Sequence, residues 1–91
     1  MKRWQVVAKV ALDTGVTKET AKLAVDSVFD AISESLGRGE MVVITGFGSF
    51  RAKDRASRVA RDPRTGEQMV IAARRVATFK PSKALREAVA S

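Results

Sequence analysis

The chain contains no cysteine and no histidine, and these two absences exclude more than any single motif adds. Without cysteine there is no disulfide, and without a Cys/His set there is no structural zinc, so the usual staples of a small domain are missing. Catalysis is left with Asp, Glu, Lys or Ser, and no pair of these is spaced as a working acid and base or as a nucleophile with its base. No enzymatic activity, metal or cofactor is therefore expected. Long apolar runs are lacking too: no segment approaches the ~20 residues of a membrane span, and the N-terminus has no continuous apolar region of the signal-peptide kind. An intracellular, soluble protein is expected, and the lack of cysteine is compatible with a reducing cytosol.

Acidic residues are also scarce. Seventeen Lys and Arg against ten Asp and Glu leave a net charge of +7, with a sequence pI near 10.6. That excess points to nucleic acid, with an anionic membrane surface as the competing partner.

Ninety-one residues, 45% of them hydrophobic, make one globular domain. Size then sets a limit. If a basic stretch of some 25 residues stands out as an arm, about 65 remain for the core, close to the lower bound for an independent domain. Dimerisation is the expected source of further buried surface, and a two-fold dimer would carry two arms.

The candidate arm runs from Arg51 to Phe79. Its outgoing half carries Arg51, Lys53, Arg55, Arg58 and Arg61 against Asp54 alone, and otherwise holds only small or modestly apolar residues. Asp62 suits the first position of a turn, Pro63 presets φ for the second, and Gly66 can take the left-handed conformation that closes a hairpin. The return passes through Met69-Val70-Ile71 to Arg74-Arg75-Val76-Ala77-Thr78-Phe79. A ribbon of this kind has no core to face and is marginal alone in water. Two readings follow: an arm that a polyanion orders, or a solvated basic hairpin. The density of positive charge favours the arm.

Around it the pattern is local and regular. Val6, Val7, Val10 and Ala11 lie at helical spacing in residues 3–13, a short amphipathic helix whose start at Lys2 and Arg3 has no capping acceptor on those side chains. Cations there oppose the helix dipole, so the end is either a place for an anion or a frayed terminus. Trp4 reads as a packing residue, with base stacking as the other option. Gly15 and Val16 break this helix, and Thr17 caps a second over about 18–36, where Ala21, Val25, Val28, Phe29, Ile32 and Leu36 form the stripe expected to supply much of the core. Asp26, Asp30 and Glu34 form a solvated acidic row. That row, with only Lys18 and Lys22 as basic residues in the first turns, argues against a helix-turn-helix reader.

Gly37 and Gly39 end the second helix, and Met41 to Thr45 reads as an apolar strand. Gly46-Phe47-Gly48-Ser49-Phe50 then makes a tight turn whose phenylalanines can reach the core and whose amides could meet a phosphate. After the arm, Lys80-Pro81-Ser82 leads to a short helix capped by Ser82, with Leu85, Ala88 and Val89 inward and Lys80, Lys83 and Arg86 gathered near its start. The sum is α+β: two helices, a three-stranded antiparallel sheet drawn out into a β-ribbon arm, and a last short helix, in one domain over 1–91 (body 1–50 and 79–91, arm about 51–78).

Three of these stretches together resemble the bacterial HU/IHF family of DNA-bending proteins: Gly46-Phe47-Gly48-Ser49-Phe50, the arm with Arg55, Arg58, Arg61, Pro63, Thr65 and Gly66, and Phe79-Lys80-Pro81-Ser82-Lys83-Ala84-Leu85. The likeness runs from the N-terminus to Val89. It implies an intertwined dimer, homodimeric or heterodimeric, whose helical base holds two β-arms that wrap double-stranded DNA through the minor groove. It implies Pro63 as a wedge between base pairs, Arg55, Arg58 and Arg61 on backbone and groove floor, and flanking phosphates at Gly46, at Arg3 and at Ser82 and Lys83. The full expected DNA-binding set adds Lys53, Arg64, Thr65, Arg74, Arg75, Lys80 and Arg86, and the implied setting is the cytoplasm, on the nucleoid. This chain departs from the family at Asp62, where Asn or Lys is common and where a charge repels phosphates unless it turns back to cap the tip. It departs also at Lys2, at Trp4 in place of a small hydroxyl residue, and at Ala60 in place of Gly.

The function expected is a general architectural protein, HU-like, that bends and compacts DNA with little sequence preference. The alternative is an IHF-like site-specific bender, to which Ala73 to Phe79 looks closer, whereas the short stretch after the third helix is HU-like. A third possibility is a protein-assembly or anionic-surface module whose ribbon augments a partner sheet.

Overall fold

The computed structural model describes residues 1–90. Its elements are α1 (Arg3–Thr14), α2 (Lys18–Gly37), β1 (Val42–Ile44), β2 (Gly48–Arg55), β3 (Arg58–Arg61), β4 (Gln68–Ile71), β5 (Arg74–Pro81) and α3 (Lys83–Ala90). This is the expected α+β order. The chain forms two compact units, Met1–Glu34 and the part from Ser35 onward.

In the first unit, α1 is capped through Gln5. The Gln5 side-chain oxygen accepts the backbone N–H of Lys2 at 2.6 Å, which is one half of a capping box. The other half is missing, because an ammonium has no acceptor to offer the first turn. Gly15, at φ 77°, closes α1 by donating its N–H to the Ala11 carbonyl at 3.0 Å. Thr17 caps α2 as expected, its Oγ1 accepting the Thr20 N–H at 3.2 Å.

The apolar stripe of α2 forms but is incompletely covered. Ala21 and Val25 are buried, whereas Val28 remains 54% and Phe29 40% exposed. Trp4, expected to pack, is 69% exposed. The reason is geometric: two helices alone cover a narrow strip of each other, and a stripe widened to several positions per turn needs another surface.

In the second unit, the end of α2 corrects one expectation. Gly37 is the last helical residue, and it is Gly39, at φ 78°, that turns the chain. Glu40 donates to the Ser35 carbonyl at 2.9 Å and Gly39 to that of Leu36 at 3.0 Å, the paired bonds of a Schellman motif.

The strand expected at Met41 to Thr45 is shorter, Val42–Ile44, and turns back at once. Phe47 donates to the Ile44 carbonyl at 2.9 Å, with Gly46 at φ 82°, so the positive φ falls at the third turn position, as in a type II turn. β2 then lies between β1 and β5 in an antiparallel sheet. Phe50 stands opposite Phe79 with ring centroids 4.8 Å apart, and Phe47 meets the same ring at 5.5 Å. The Ser82 N–H donates to the Phe47 carbonyl at 2.9 Å, which fixes the turn against the start of α3. Ser82 also caps that helix, its Oγ accepting the Leu85 N–H at 3.1 Å. Leu85 is half-buried, but Val89, expected to pack inward, is 78% exposed.

The ribbon is not one uninterrupted ladder. β2 pairs with β5 as far as Arg55↔Arg74, pairing stops at Ala56-Ser57 and Ala72-Ala73, and it resumes in β3 and β4 from Arg58↔Ile71 to Arg61↔Gln68. Two residues face two across the gap, so the register is unchanged and no bulge is present. The side chains explain the break. Asp54↔Arg75 is an opposed pair closed by an ion pair at 2.9 Å, but the next pair sets two arginines directly against each other, and Ala and Ser beyond it bring almost no cross-strand contact.

Candidate nucleic-acid interface

At the tip, four residues connect β3 to β4 between Asp62 and Glu67, whose backbones still pair: Asp62 N–H to Glu67 carbonyl, 2.8 Å. Gly66, at φ 71°, donates to the Asp62 carbonyl at 2.8 Å. The Asp62 side chain turns inward, its Oδ1 accepting the Arg64 N–H at 2.8 Å. An aspartate hydrogen-bonding the amide two residues on is an Asx turn, and it leaves only 26% of this side chain exposed. Thr65 Oγ1 accepts the Glu67 N–H at 3.3 Å. The loop is thus held by its own residues, with Pro63 exposed at the apex and the Arg64 side chain 90% exposed. Arg61, beside it, donates to the Gly66 carbonyl at 3.4 Å.

Where the ladder breaks, Arg55, Arg58 and Arg74 line one open cleft of about 640 Å³, floored by Ile71, Val76 and Ala77 among others. Strict alternation would send Arg58 to the face opposite Arg55 and Arg74, and the interrupted ladder is what permits all three to share a cleft. None of the three has an acidic partner within ion-pair distance among the described residues. Lys53, nearer the body, is exposed on β2. Arg75 is different: it donates to Asp54 at 2.9 Å and to the Gly37 carbonyl at 3.3 Å, where a cation satisfies the C-terminal end of α2. Among the expected DNA contacts Arg75 is therefore already engaged inside the protein.

At the base of the ribbon, Gly46, Lys80, Ser82, Lys83 and Arg86 line a second open cleft of about 410 Å³. They come together because the type II turn and the start of α3 are joined by the Ser82–Phe47 hydrogen bond. Lys83 shares its charge with Glu87 at 3.8 Å along the helix, and Lys80 and Arg86 are exposed. Three cations thus stand around the turn and the start of α3.

Arg3 belongs to the first unit and is likewise engaged. It donates to Asp26 at 3.2 Å and its guanidinium lies 5.2 Å from the centre of the Phe29 ring. Asp26 also accepts from Lys22 at 2.8 Å. That hydrogen bond above all holds the Asp26 carboxyl below its ordinary value of 3.8; partial desolvation opposes it, and the charges of Lys22 and Arg3 add to it.

Gly48, read from the sequence as a turn glycine, lies instead in β2 and is needed for a different reason. A Cβ on Gly48 would lie 2.6 Å from the Lys80 carbonyl oxygen and from two carbons of the Phe79 ring. The pairing of β2 with β5 at this point, which places Lys80, needs a glycine. Nothing in the local sequence separates this glycine from Gly46, which is needed for its φ.

The family described as bacterial DNA-binding protein matches residues 1–90. The chain belongs to that family. It is 46% identical over 89 residues to DNA-binding protein HU of Geobacillus stearothermophilus, covering 98% of this chain and 99% of that one. It is 45% identical over 89 residues to integration host factor subunit alpha of Anaeromyxobacter sp. (strain K), covering 98% of this chain and 79% of the relative. Among solved structures, an Anabaena HU–DNA cocrystal structure superposes with a TM-score of 0.91 at 38% identity, over 99% of this chain and 98% of that one. The family membership covers both the helices and the ribbon. In this family member Asp62 is tied into the tip rather than projected from it, so the charged departure at this position presents less of itself to an approaching phosphate.

Proposed function

We propose that this chain is an architectural DNA-binding protein of the HU type, a binder and not an enzyme, which bends double-stranded DNA with its ribbon in the minor groove and has little sequence preference. The observation that carries this is the ribbon: Arg55, Arg58, Arg61 and Arg74 stand along it, and the exposed Pro63 sits on a tip held by hydrogen bonds from the Asp62, Arg64, Gly66 and Glu67 amides. A rigid apolar wedge on a cationic strand pair is what minor-groove benders use, offsetting a few kcal/mol of unstacking per step with the backbone contacts that a bend permits. Arginine in that groove responds to width and deformability, because the base pattern there is degenerate. Gly46, Lys80, Ser82, Lys83 and Arg86 take flanking phosphates in this reading, with Lys53, Arg64 and Thr65 along the path; Arg3 and Arg75 join only by giving up their present partners.

The working form is a dimer. Only Ala21 and Val25 are buried apolar residues among those described, while Leu12, Leu23, Val28, Val43 and Val89 are all more than half exposed. A chain with so little buried surface needs a partner to reach ordinary stability, and a second copy is the simplest partner. A nucleoid setting follows from binding DNA without strict sequence choice. Among the described residues no helix is long and apolar enough to cross a membrane.

A second reading, site-specific bending, is favoured by the 45% identity to an integration host factor subunit, nearly that to HU. Competition binding separates the two. With about eight phosphates neutralised, log K is expected to fall with log salt at a slope near −7 on any duplex, with nicked or kinked DNA preferred over straight. A preference of a thousandfold or more for one sequence over random DNA would reject the general reading. Weak binding to every duplex at moderate salt would reject both.

A further inference from the structure

Beside Arg3, the first unit holds a cleft of which the proposed duplex contacts involve Arg3 alone. It is about 460 Å³, almost wholly apolar, and lined by Arg3, Trp4, Val7, Ala8, Lys18 and Lys22. Trp4 is 69% exposed, so its indole forms a wall open to solvent. Burying that ring inside the chain would stabilise it by the usual hydrophobic gain, and the fold forgoes this. Around the apolar floor stand three cations against one carboxylate, Asp26, which occupies Arg3 and Lys22 at 3.2 and 2.8 Å. Lys18 forms no ion pair among the described residues.

A flat aromatic wall, an apolar floor and an excess of cations at the rim complement a planar apolar group that carries a negative charge. We propose that this cleft is a stacking site for an unpaired nucleobase, with the base against Trp4 and its phosphate near Lys18 and the outer part of Lys22. Every base has a π-face, so stacking of this kind tolerates any sequence. Choosing a nucleotide over another anionic amphiphile rests on the proposed DNA-binding function, but the geometry lies wholly within the α1–α2 unit and is independent of the ribbon. Double-stranded DNA with a single-stranded overhang or gap would then be held at both places.

The chain has one tryptophan and no tyrosine, so its intrinsic emission reports on Trp4 alone. The intact protein is titrated with an oligothymidylate of about a dozen nucleotides, with blunt duplex, and with the same duplex bearing an overhang, following emission and, separately, the anisotropy of labelled DNA. Stacking predicts emission quenched by roughly half or more on the oligothymidylate and overhang, with little change on blunt duplex. Trp4→Leu is expected to weaken oligothymidylate binding about tenfold while duplex affinity and bending stay within twofold; Trp4→Phe retains most of the binding. Three results would overturn the proposal: unchanged emission when anisotropy shows the oligothymidylate bound, equal loss of single-strand and duplex affinity in Trp4→Leu, or Trp4 emission of the DNA-free dimer that is shielded from acrylamide, which would assign the cleft to a second copy of the chain. Loss of single-strand binding with duplex bending intact, or the reverse, separates this site from the ribbon.

Discussion

Gly48 shows how much one missing methyl decides. The strand pair on which Lys80 and Phe79 sit closes to a distance at which a Cβ would be 2.6 Å from a backbone oxygen and from the aromatic ring. The ring can turn but the carbonyl belongs to the ladder, so Gly48→Ala is expected to cost about 1–3 kcal/mol, as overpacking does, read as a lower urea midpoint. An unchanged midpoint would mean that the sheet yields freely there. Asp26 gives a residue-scale prediction with a sign. Its folded-state carboxyl lies below 3.8 through the Lys22 hydrogen bond, so the stability it contributes is present above that pH and is lost as pH falls through the folded value. The difference in urea midpoint between the natural protein and Asp26→Asn should therefore be steady near neutrality and shrink below pH 3.8. A difference that grows on acidification would contradict the ion-pair assignment.

At the scale of elements, the tip of the ribbon is where a local rule and a functional demand meet. Asp62 spends its carboxylate on the Arg64 amide, which preserves the shape that presents Pro63. An asparagine keeps an oxygen for the same bond and removes the charge. Asp62→Asn is thus expected to retain the tip and bind duplex DNA about two- to fivefold more tightly at low salt, the effect of one partly shielded charge, measured by fluorescence anisotropy. Unchanged or weaker binding would show that the carboxylate does not face the DNA path. The helices and this tip were legible in the sequence because their determinants are neighbours in the chain: Thr17 and Ser82 as caps, Gly15 as a stop, and Asp62, Pro63 and Gly66 as a turn. The gap in the ladder was not, because it depends on what stands across the ribbon: Arg55 opposite Arg74, and Ala56-Ser57 opposite Ala72-Ala73. Gly48 was hidden for the same reason. The engagement of Arg75 with Asp54 and Gly37, and of Arg3 with Asp26, was likewise out of reach, since composition counts cations without showing which are already paired.

For the molecule as a whole, the exposure of Leu12, Leu23, Val28 and Val89 leads us to expect that folding and association are one event. Sedimentation at micromolar concentration should show a dimer, and Tm should rise with protein concentration, as mass action requires when folding and association are coupled. A stable folded monomer under those conditions would remove the argument from core size. The ribbon's role is tested more directly by energy transfer between dyes at the two ends of a nicked duplex, at saturating protein. A rise in transfer is expected with the natural sequence, and with Pro63→Ala most of that rise is lost while affinity changes little. No rise on saturation, or an identical rise with and without Pro63, would contradict it.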